Sequence, residues 1–547
     1  MGGDRDPVTL VRPKPAPSTI VAVVLGAGVP LAFVAIFFLW PVGTMIERGF
    51  EGGVGDILIR PRTLRLVGLT LGQAALAAVL ATALGLPAAH VLYRLRFRGR
   101  ALLRAIVIVP FVLPTVVVGV AFRTLLRGGG PLGFLHLDQS FAGIIAALVF
   151  FNVAVVARTV GVAWATLDGR QEEAARALGA SPVRAFVSVT LPRLAPSLLA
   201  AASVVFLFCS TAFGIVLVLG GSRFGTIETE IYLLTTQFLD LKGASILSIA
   251  QLLVVVLVLL LANRFRPRAE RGLSQQVARV PRSIDAAAIA VTIAVAALLA
   301  LPMLTLAVES FQTTTGWGIT NYTSLAGTGS RNALAVPAWD ALGNSLVIAV
   351  TATAIALAIG VTASLVLSRR PRGALLRRGI TALDGVLMLP LGVSAVTVGF
   401  GFLITLNQPP FDLRSSPILV PIAQALVAVP LVVRTVLPTL GAVDARLRES
   451  ASVLGASPLR VLREIDLGLI AKPIAAAAGF AFAVALGEFG ATSFLSRPDR
   501  PTLPVVIYRL IGLPGGDNFG MAIAASVVLA LVTIAVIALV ERLRVRA

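Results

Sequence analysis

Cysteine, histidine and lysine are almost missing from this chain, and each scarcity excludes a kind of site. Cys209 is the single cysteine, which excludes an intrachain disulfide bond and a cysteine-based zinc site. His90 and His136 are the two histidines, and neither has the spacing of a metal-ligand motif. No G-x-x-x-x-G-K-[ST] pattern occurs, so the chain has no P-loop for ATP phosphates. Because H-E-x-x-H and nucleophile-elbow motifs are missing too, we expect no catalytic residues, no bound metal or cofactor, and no enzymatic activity.

Charge is scarce as well. Only 13% of the 547 residues are charged whereas 57% are hydrophobic, and the mean hydropathy is +0.94. A soluble chain of this length needs more charge to cover its surface, so the composition predicts a protein embedded in membrane lipid. The net charge of +20 is also typical of nucleic-acid-binding proteins, but the basic residues lie between hydrophobic stretches without an aromatic-rich basic face. We therefore expect no nucleic-acid partner.

Twelve hydrophobic stretches reach the roughly 20 residues that a helix needs to cross the hydrocarbon core. They predict an all-α, polytopic membrane protein with about 12 transmembrane helices. Pro110, Pro114 and Pro390 lie inside the third and ninth stretches, where they break helical hydrogen bonds and suit bent helices. The predicted spans are 19–45, 64–92, 102–126, 141–165, 193–219, 244–263, 284–308, 341–367, 379–406, 416–440, 471–495 and 519–541.

Arginine clusters set the orientation of these spans. With twelve spans, the clusters after spans two, six and eight and the C-terminal cluster all lie on one side of the membrane, together with the N-terminal segment. Because cytoplasmic loops carry the excess of Lys and Arg, we expect a multi-pass protein of the cell (plasma or inner) membrane with both termini in the cytoplasm. The clustered residues are Arg94, Arg96, Arg98, Arg100, Arg104, Arg264, Arg266, Arg268, Arg271, Arg279, Arg282, Arg369, Arg370, Arg372, Arg377, Arg378, Arg542, Arg544 and Arg546.

The two halves of the chain are related in sequence. Residues 173–182 read EAARALGASP and residues 449–458 read ESASVLGASP, an offset of 276 positions. The same offset relates Phe213-Gly214 to Phe489-Gly490. The chain is therefore interpreted as a tandem duplication of a six-span unit, whose copies share one orientation and are related by an axis along the membrane normal. The predicted division is a cytoplasmic tail (1–18), a first transmembrane domain (19–263), a cytoplasmic linker (264–283) and a second transmembrane domain (284–547).

Two equivalent loops on the predicted cytoplasmic side carry a helix–turn–helix pattern. The first hairpin, DGRQEEAARALGASPVRAFVSVTLP, spans 168–192, and the second hairpin, DARLRESASVLGASPLRVLREIDLG, spans 444–468. Gly179 and Gly455 suit the left-handed residue that ends a helix, and the Ser-Pro that follows starts the next one. Each hairpin is expected to project from the membrane as a knob that another protein can grip.

The hairpins resemble the EAA loops of ABC importer permeases, whose pattern is Glu-Ala-Ala, three residues, Gly, nine residues, Ile, one residue, Leu-Pro. The second hairpin departs from it with Ser450 in place of the first Ala and Gly468 in place of the Pro. The whole chain is similar to fused type I permeases of the thiamine and iron(III) importer families, which implies two tandem six-helix permease domains. The coupling residues that the resemblance implies are Glu173, Ala174, Ala175, Gly179 and Pro192 in the first hairpin and Glu449, Ala451 and Gly455 in the second.

The resemblance also implies partners. Two copies of a separate ABC ATPase subunit, which use ATP and Mg, are each expected to contact one hairpin, and an extracytoplasmic solute-binding protein is expected to deliver the solute. Segments 487–512 and 226–232 look most like the thiamine members, so thiamine or ferric iron is the expected solute. Another small solute, such as sulfate, molybdate, a polyamine or a phosphonate, is an alternative. A secondary transporter is a second alternative, since twelve spans in two similar halves also describe that class.

Acidic residues near the predicted outer ends of the spans are candidates for the solute pathway. Glu488 can attract a cationic solute, because ionisable groups inside a membrane are costly and often functional. The alternative is an interfacial carboxylate that pairs with Arg497 or Arg500. Glu228 and Glu230 fall in the predicted external loop between spans five and six, where they contact either the binding protein or solvent.

Two amides inside predicted spans are the remaining pathway candidates. Asn152 lies in span four and Gln424 lies in span ten. They either line the solute path or hydrogen-bond across neighbouring helices, which polar side chains commonly do inside membranes.

Overall fold

The computed structural model describes residues 17–51, 54–221, 223–264, 278–314, 316–369, 374–408 and 411–546. These residues are helical apart from turns and two antiparallel hairpins of two-residue strands, Gln312–Thr313 with Gly316–Trp317 and Asn407–Gln408 with Phe411–Asp412. The all-α prediction is confirmed. All but Pro17 and Ser18 of the predicted tail, and residues 265–277 of the predicted linker, lie outside the described residues.

Ten described helices are long and apolar enough to cross a membrane, and two bent helix pairs bring the number to twelve. We number them spans 1 to 12 in chain order. The first six are Gly26–Phe50, Pro61–Arg94, Arg100–Val112 with Thr115–Leu126, Phe141–Thr166, Pro182–Ser210 and Leu241–Leu260. The last six are Ser283–Glu309, Ala338–Leu367, Leu376–Gly392 with Ala395–Thr405, Leu419–Ala442, Leu459–Gly487 and Gly516–Val540.

Spans 3 and 9 were expected to be helices bent at their prolines, and each is instead a pair of helices with a break between them. Span 3 turns by 108° and span 9 by 99°. At the first break Leu113 and Pro114 are extended, with ψ of 144° and 136°; at the second, Ser394 is extended with ψ of 150°. A short 3₁₀ turn that contains Pro110 or Pro390 precedes each break. The prolines therefore lie at or near the bends, whereas the chain changes direction at the residues with extended backbone.

The predicted ends of spans 5 and 11 were wrong. Span 5 begins inside the first hairpin and ends at Ser210 rather than at 219, and span 11 ends at Gly487 rather than at 495. Short helices follow each end, Gly214–Leu219 after span 5 and Thr492–Leu495 after span 11. The second arm of each hairpin therefore continues into its span as one helix. That helix contains a π turn, at Phe186–Thr190 in the first half and at Leu462–Asp466 in the second.

The two halves pack their spans in the same way. A Cβ atom on Gly85 of span 2 would lie 2.6 Å from Val156 Cβ of span 4, and one on Gly360 of span 8 would lie 2.6 Å from Val432 Cγ1 of span 10. Close approach at a small residue is typical of helix pairs in membranes. Each half therefore repeats one helix-packing arrangement around equivalent glycines.

The first span of each half packs on the other half. Span 1 lies against spans 8 and 9, and span 7 lies against spans 2 and 3. A Cβ atom on Gly401 of span 9 would lie 3.1 Å from Pro41 Cβ of span 1. These exchanged helices hold the two halves together. The hairpins, by contrast, continue into spans 5 and 11.

Candidate functional site

The first hairpin has the geometry that its sequence predicts. Its first helix, Arg170–Ala177, ends at Gly179, whose φ of +91° is left-handed. Ala180 N donates to Ala175 O at 3.1 Å, which closes the helix end. Ser181 then caps the next helix by accepting a hydrogen bond from Arg184 N at 3.3 Å.

The second hairpin repeats this geometry despite its sequence departures. Asp444 caps the helix Ala445–Val453 by accepting a hydrogen bond from Arg446 N at 3.0 Å. Gly455 has a φ of +82°, and Ala456 N donates to Ala451 O at 3.0 Å. Neither Ser450 nor Gly468 distorts the turn, because the turn depends on the glycine and on main-chain hydrogen bonds.

The residues of the EAA pattern lie on the surface of both hairpins. Leu178 is 90% exposed, and its equivalent Leu454 is 87% exposed. A Cβ atom on Gly179 or Gly455 would meet no atom within 4 Å. Leu178 and Leu454 therefore lie outside the core, on the surface of the hairpin turns. Glu173, Ala174, Gly179, Glu449 and Gly455 are exposed, Ala175 and Ala451 are half-buried, and Pro192 is the second residue of the helix Leu191–Ser210.

A polar contact at the base of each hairpin ties its first helix to the span that follows. In the first hairpin Thr190 Oγ1 donates to Glu172 Oε2 at 2.8 Å. In the second, Arg448 Nε lies 2.7 Å from Asp466 Oδ1, and Arg369 Nη2 lies 2.9 Å from Asp466 Oδ2. Asp466 is fully buried, and two guanidinium groups compensate its charge. In each hairpin such a contact therefore joins the first helix to the helix that continues into span 5 or span 11.

Two of the three predicted pathway residues lie close together. Glu488 follows span 11 and accepts hydrogen bonds from Ala491 N at 2.7 Å and from Thr492 N at 3.0 Å. Thr492 Oγ1 also donates to Glu488, and Gln424 Nε2 donates to Thr492 Oγ1 at 3.4 Å. The suggested pairing with an arginine is wrong for Arg497, which instead contacts Asp499 at 3.0 Å. Glu488 is buried and held by main-chain and hydroxyl donors.

Asn152 does not join this cluster. Its Nδ2 donates to Leu148 O of the same helix at 2.9 Å and to Cys209 Sγ of span 5 at 3.3 Å. Asn152 therefore links spans 4 and 5 of the first half, in line with the interpretation of an interhelical hydrogen bond.

The acidic pair Glu228 and Glu230 was expected in an external loop, in contact with solvent or a binding protein, and this was wrong. Both lie on the helix Ile227–Thr236, where they are 0% and 6% exposed. Glu230 forms a two-pronged ion pair with Arg62, whereas Glu228 accepts a hydrogen bond from Ser394 of the other half at 2.8 Å. A comparison of the two repeats could have indicated this burial. Residues 503–508, the counterpart of IETEIY, read LPVVIY and are apolar.

Comparison with known proteins matches the family described as "Binding-protein-dependent transport system inner membrane component" to residues 81–275 and 360–546. The two matches correspond to the two halves. They cover most of the described chain, including both hairpins and the cluster around Glu488.

Individual relatives have the same subunit type. The chain is 28% identical over 464 residues to the thiamine transport system permease protein ThiP of Escherichia coli, covering 82% of this chain and 83% of the relative. It is 27% identical over 535 residues to ThiP of Brucella abortus, covering 93% and 94%. The sulfate transport system permease protein CysT of Salmonella typhimurium is 29% identical over 246 residues, which cover 43% of this chain and 89% of the relative. Less than half of this chain thus matches nearly the whole of that sulfate permease protein.

Proposed function

This chain belongs to the family of binding-protein-dependent transport system inner membrane components, and on that premise we propose that it is a thiamine permease. It is a multi-pass membrane permease subunit of an ABC importer. The observation that carries the choice of solute is the similarity to thiamine permeases along 93% of the chain. The acidic groups of the buried cluster support the same choice, because thiamine carries a positive charge on its thiazolium ring.

The buried acids favour a cationic solute. Glu228 and Glu488 are buried, and within the described chain their hydrogen bonds come from hydroxyl and main-chain groups. A buried carboxyl without a basic partner ionises readily only when a cation lies beside it, so such a group favours a cation over an anion. Sulfate is the second candidate because of the similarity to a sulfate permease, but two such carboxylates disfavour an anion. Ferric iron is a weaker candidate solute, since the described residues contain no group of three or more His, Cys, Asp and Glu side chains suited to a metal.

The two hairpins are the proposed docking sites for two copies of an ATPase subunit. The exposed Leu178 and Leu454, the left-handed glycines and the flanking EAA residues support this role. In this arrangement the hairpins and both termini lie in the cytoplasm. An extracytoplasmic binding protein delivers the solute to the opposite face of the permease. ATP binding closes the ATPase pair and moves the hairpins together with spans 5 and 11. The two permease domains, 19–263 and 284–547, rock about their common axis and alternate access to the solute.

Uptake of labelled solutes tests the function. A strain that lacks this gene is compared with the same strain after restoration, using thiamine, sulfate and ferric iron in parallel. Thiamine uptake that disappears and returns with the gene supports the proposal. Restoration of sulfate or iron uptake alone contradicts the choice of solute and leaves the permease assignment in place.

A second assay separates the ABC importer from a secondary transporter. The purified chain is reconstituted with and without its ATPase and binding-protein partners, and thiamine accumulation is measured with and without ATP. We expect accumulation only with all partners and ATP. Gradient-driven uptake by the chain alone would contradict the coupling through the hairpins.

A further inference from the structure

Two pairs of aromatic rings mark the axis that relates the two halves. Phe213 and Phe489 are equivalent in the repeat, and their rings stack with centroids 5.4 Å apart and planes 18° apart. Tyr232 and Tyr508 are equivalent as well, and their centroids lie 6.4 Å apart. Equivalent residues of two repeats contact each other only where the axis passes between them. In transporters built from such repeats the solute crosses at this interface.

The rings form one continuous group. Phe213 lies 5.4 Å from Tyr232, and Phe489 lies 5.4 Å from Tyr508, measured between centroids. Both phenylalanines are buried and both tyrosines are half-buried. We call Phe213, Tyr232, Phe489 and Tyr508 the axial tetrad. Because its rings pack against one another across the axis, the two halves are in direct contact at the tetrad.

Two buried carboxylates accompany the axial tetrad. Glu488 directly precedes Phe489, and Glu228 lies one helical turn before Tyr232 on the same helix face. Glu228 is fully buried, and its Oε1 has no hydrogen-bond donor among the described residues, although Oε2 accepts from Ser394. The repeat partners of these acids, Ala212 and Pro504, are uncharged. Each half therefore places a carboxylate beside the axis at a position where the other half has none.

We propose that the axial tetrad, with Glu228 and Glu488, is the site that a planar organic cation occupies as it crosses between the halves. The face of an aromatic ring attracts a cation, and flat rings separate to admit another flat ring between them. Glu228 and Glu488 ionise when a cation lies beside them and then supply the opposite charge, which an anion of similar size does not induce. This site rests on the proposed function, since thiamine is a cation of this class.

The experiment measures the preference of the transporter for charge. The complete transporter with its ATPase and loaded binding protein is reconstituted into vesicles. Uptake of labelled thiamine is compared with uptake of an uncharged analogue in which a neutral ring replaces the thiazolium. Variants Tyr232→Leu and Phe489→Leu remove one ring each, and Tyr232→Phe keeps the ring. Phe122→Leu is the matched control, because Phe122 pairs edge-on with Phe150 at 5.3 Å within the first half.

Loss of a ring is expected to lower the ratio of thiamine to analogue uptake by about two- to thirtyfold, the range that corresponds to one cation–π contact. Glu488→Gln lowers the same ratio, whereas Tyr232→Phe and Phe122→Leu leave it unchanged. A merely structural role would reduce both uptake rates together and leave the ratio constant. An unchanged ratio in both leucine variants overturns the site and leaves the proposed function standing. A wild-type transporter that imports no thiamine overturns both.

Discussion

The first and second hairpins share a backbone but place the carboxylate of the contact at their bases on opposite sides. In the first hairpin the carboxylate of Glu172 is on the hairpin helix and Thr190 is on the π turn. In the second, the equivalent positions hold Arg448 and Asp466, so the carboxylate has moved to the π turn. The contact is thus retained while the carboxylate changes sides, and its donor changes from the neutral hydroxyl of Thr190 to the charged guanidinium of Arg448.

An arginine lies at each base, at the end of span 2 in the first half and just after span 8 in the second. Arg369 pairs with Asp466 at 2.9 Å. Arg94, near the equivalent place in the first half, donates to Leu167 O at 3.3 Å and lines the same small cavity as Glu172. The second base is therefore a three-member ionic network around the fully buried Asp466, whereas Glu172 in the first base is only half-buried. The second hairpin should depend more strongly on its charges.

The largest effect is expected from bulk at the hairpin turns. Gly179→Trp or Gly455→Trp should reduce ATP-driven uptake to background and weaken ATPase association, because the indole would stand on the exposed docking face. Insertion should persist, since the left-handed φ costs a side chain only about 1–2 kcal/mol locally. Uptake and ATPase pull-down in reconstituted vesicles measure both quantities.

Gly99→Trp is the matched control for this prediction. Gly99 also has a positive φ, +86°, and a Cβ atom there would likewise meet no atom within 4 Å, but it lies in the loop between spans 2 and 3. Its substitution should leave uptake close to that of the wild type. Equal loss in all three variants, or uptake that survives both hairpin substitutions, would contradict the coupling role.

The two bases should differ in stability. Asp466→Ala leaves two guanidinium groups without their buried partner and should lower the free energy of unfolding by roughly 3 kcal/mol, the low end for a broken buried pair, because both arginines are partly exposed. Thr190→Ala removes one hydrogen bond to a carboxylate and should cost about 1.5 kcal/mol. Thermal unfolding of the purified chain in detergent measures both, and equal losses would refute the comparison.

An exchange of charges sharpens the same comparison. Glu172→Arg alone places a second guanidinium near Arg94 and should weaken coupling between ATP hydrolysis and uptake. The double variant Glu172→Arg with Thr190→Asp recreates the arrangement of the second hairpin in the first. It should regain at least roughly half of the lost coupling ratio, measured as solute imported per ATP hydrolysed. A double variant no better than the single one would show that the two bases are not interchangeable.

The smallest effect is expected from the exposed leucines. Leu178→Ser and Leu454→Ser should each change stability by less than about 0.5 kcal/mol, because neither side chain is packed. Each should weaken ATPase binding about fivefold, which corresponds to roughly 1 kcal/mol. Titration of the ATPase onto the immobilised permease measures this. Unchanged binding in both variants would place the docking surface elsewhere on the hairpins.

Local features of the site could be predicted from the sequence, and contacts between distant segments could not. The left-handed Gly179 and Gly455 follow from a requirement that a few neighbouring residues impose, so the pattern predicts them. Prolines indicated that spans 3 and 9 bend, but the breaks after Val112 and Gly392 were missed, because hydropathy stays high through them and only main-chain angles differ. The roles of the EAA residues and of Glu488, Asn152 and Gln424 stay predictions until they are tested.

Glu228 shows that the burial of a side chain can depend on a contact with a residue far away in the sequence. Its local sequence is compatible with a solvated loop, and its burial depends on Ser394, which lies 166 positions away in the other half. A hydrogen bond of this kind leaves no periodic signal near either residue. The comparison of the two repeats came closest to revealing it, since the counterpart segment is apolar.

The sequence by itself determined the class, the twofold repeat and the two hairpins, because hydropathy, charge placement and turn residues act over short distances along the chain. Only the tertiary structure decided that spans 3 and 9 are broken helices, that span 1 packs on the second half, and that Phe213 meets Phe489 on the axis. The physical reason is that burial in a membrane specifies which residues leave water, whereas packing between helices, which depends on close contact, specifies which of them meet.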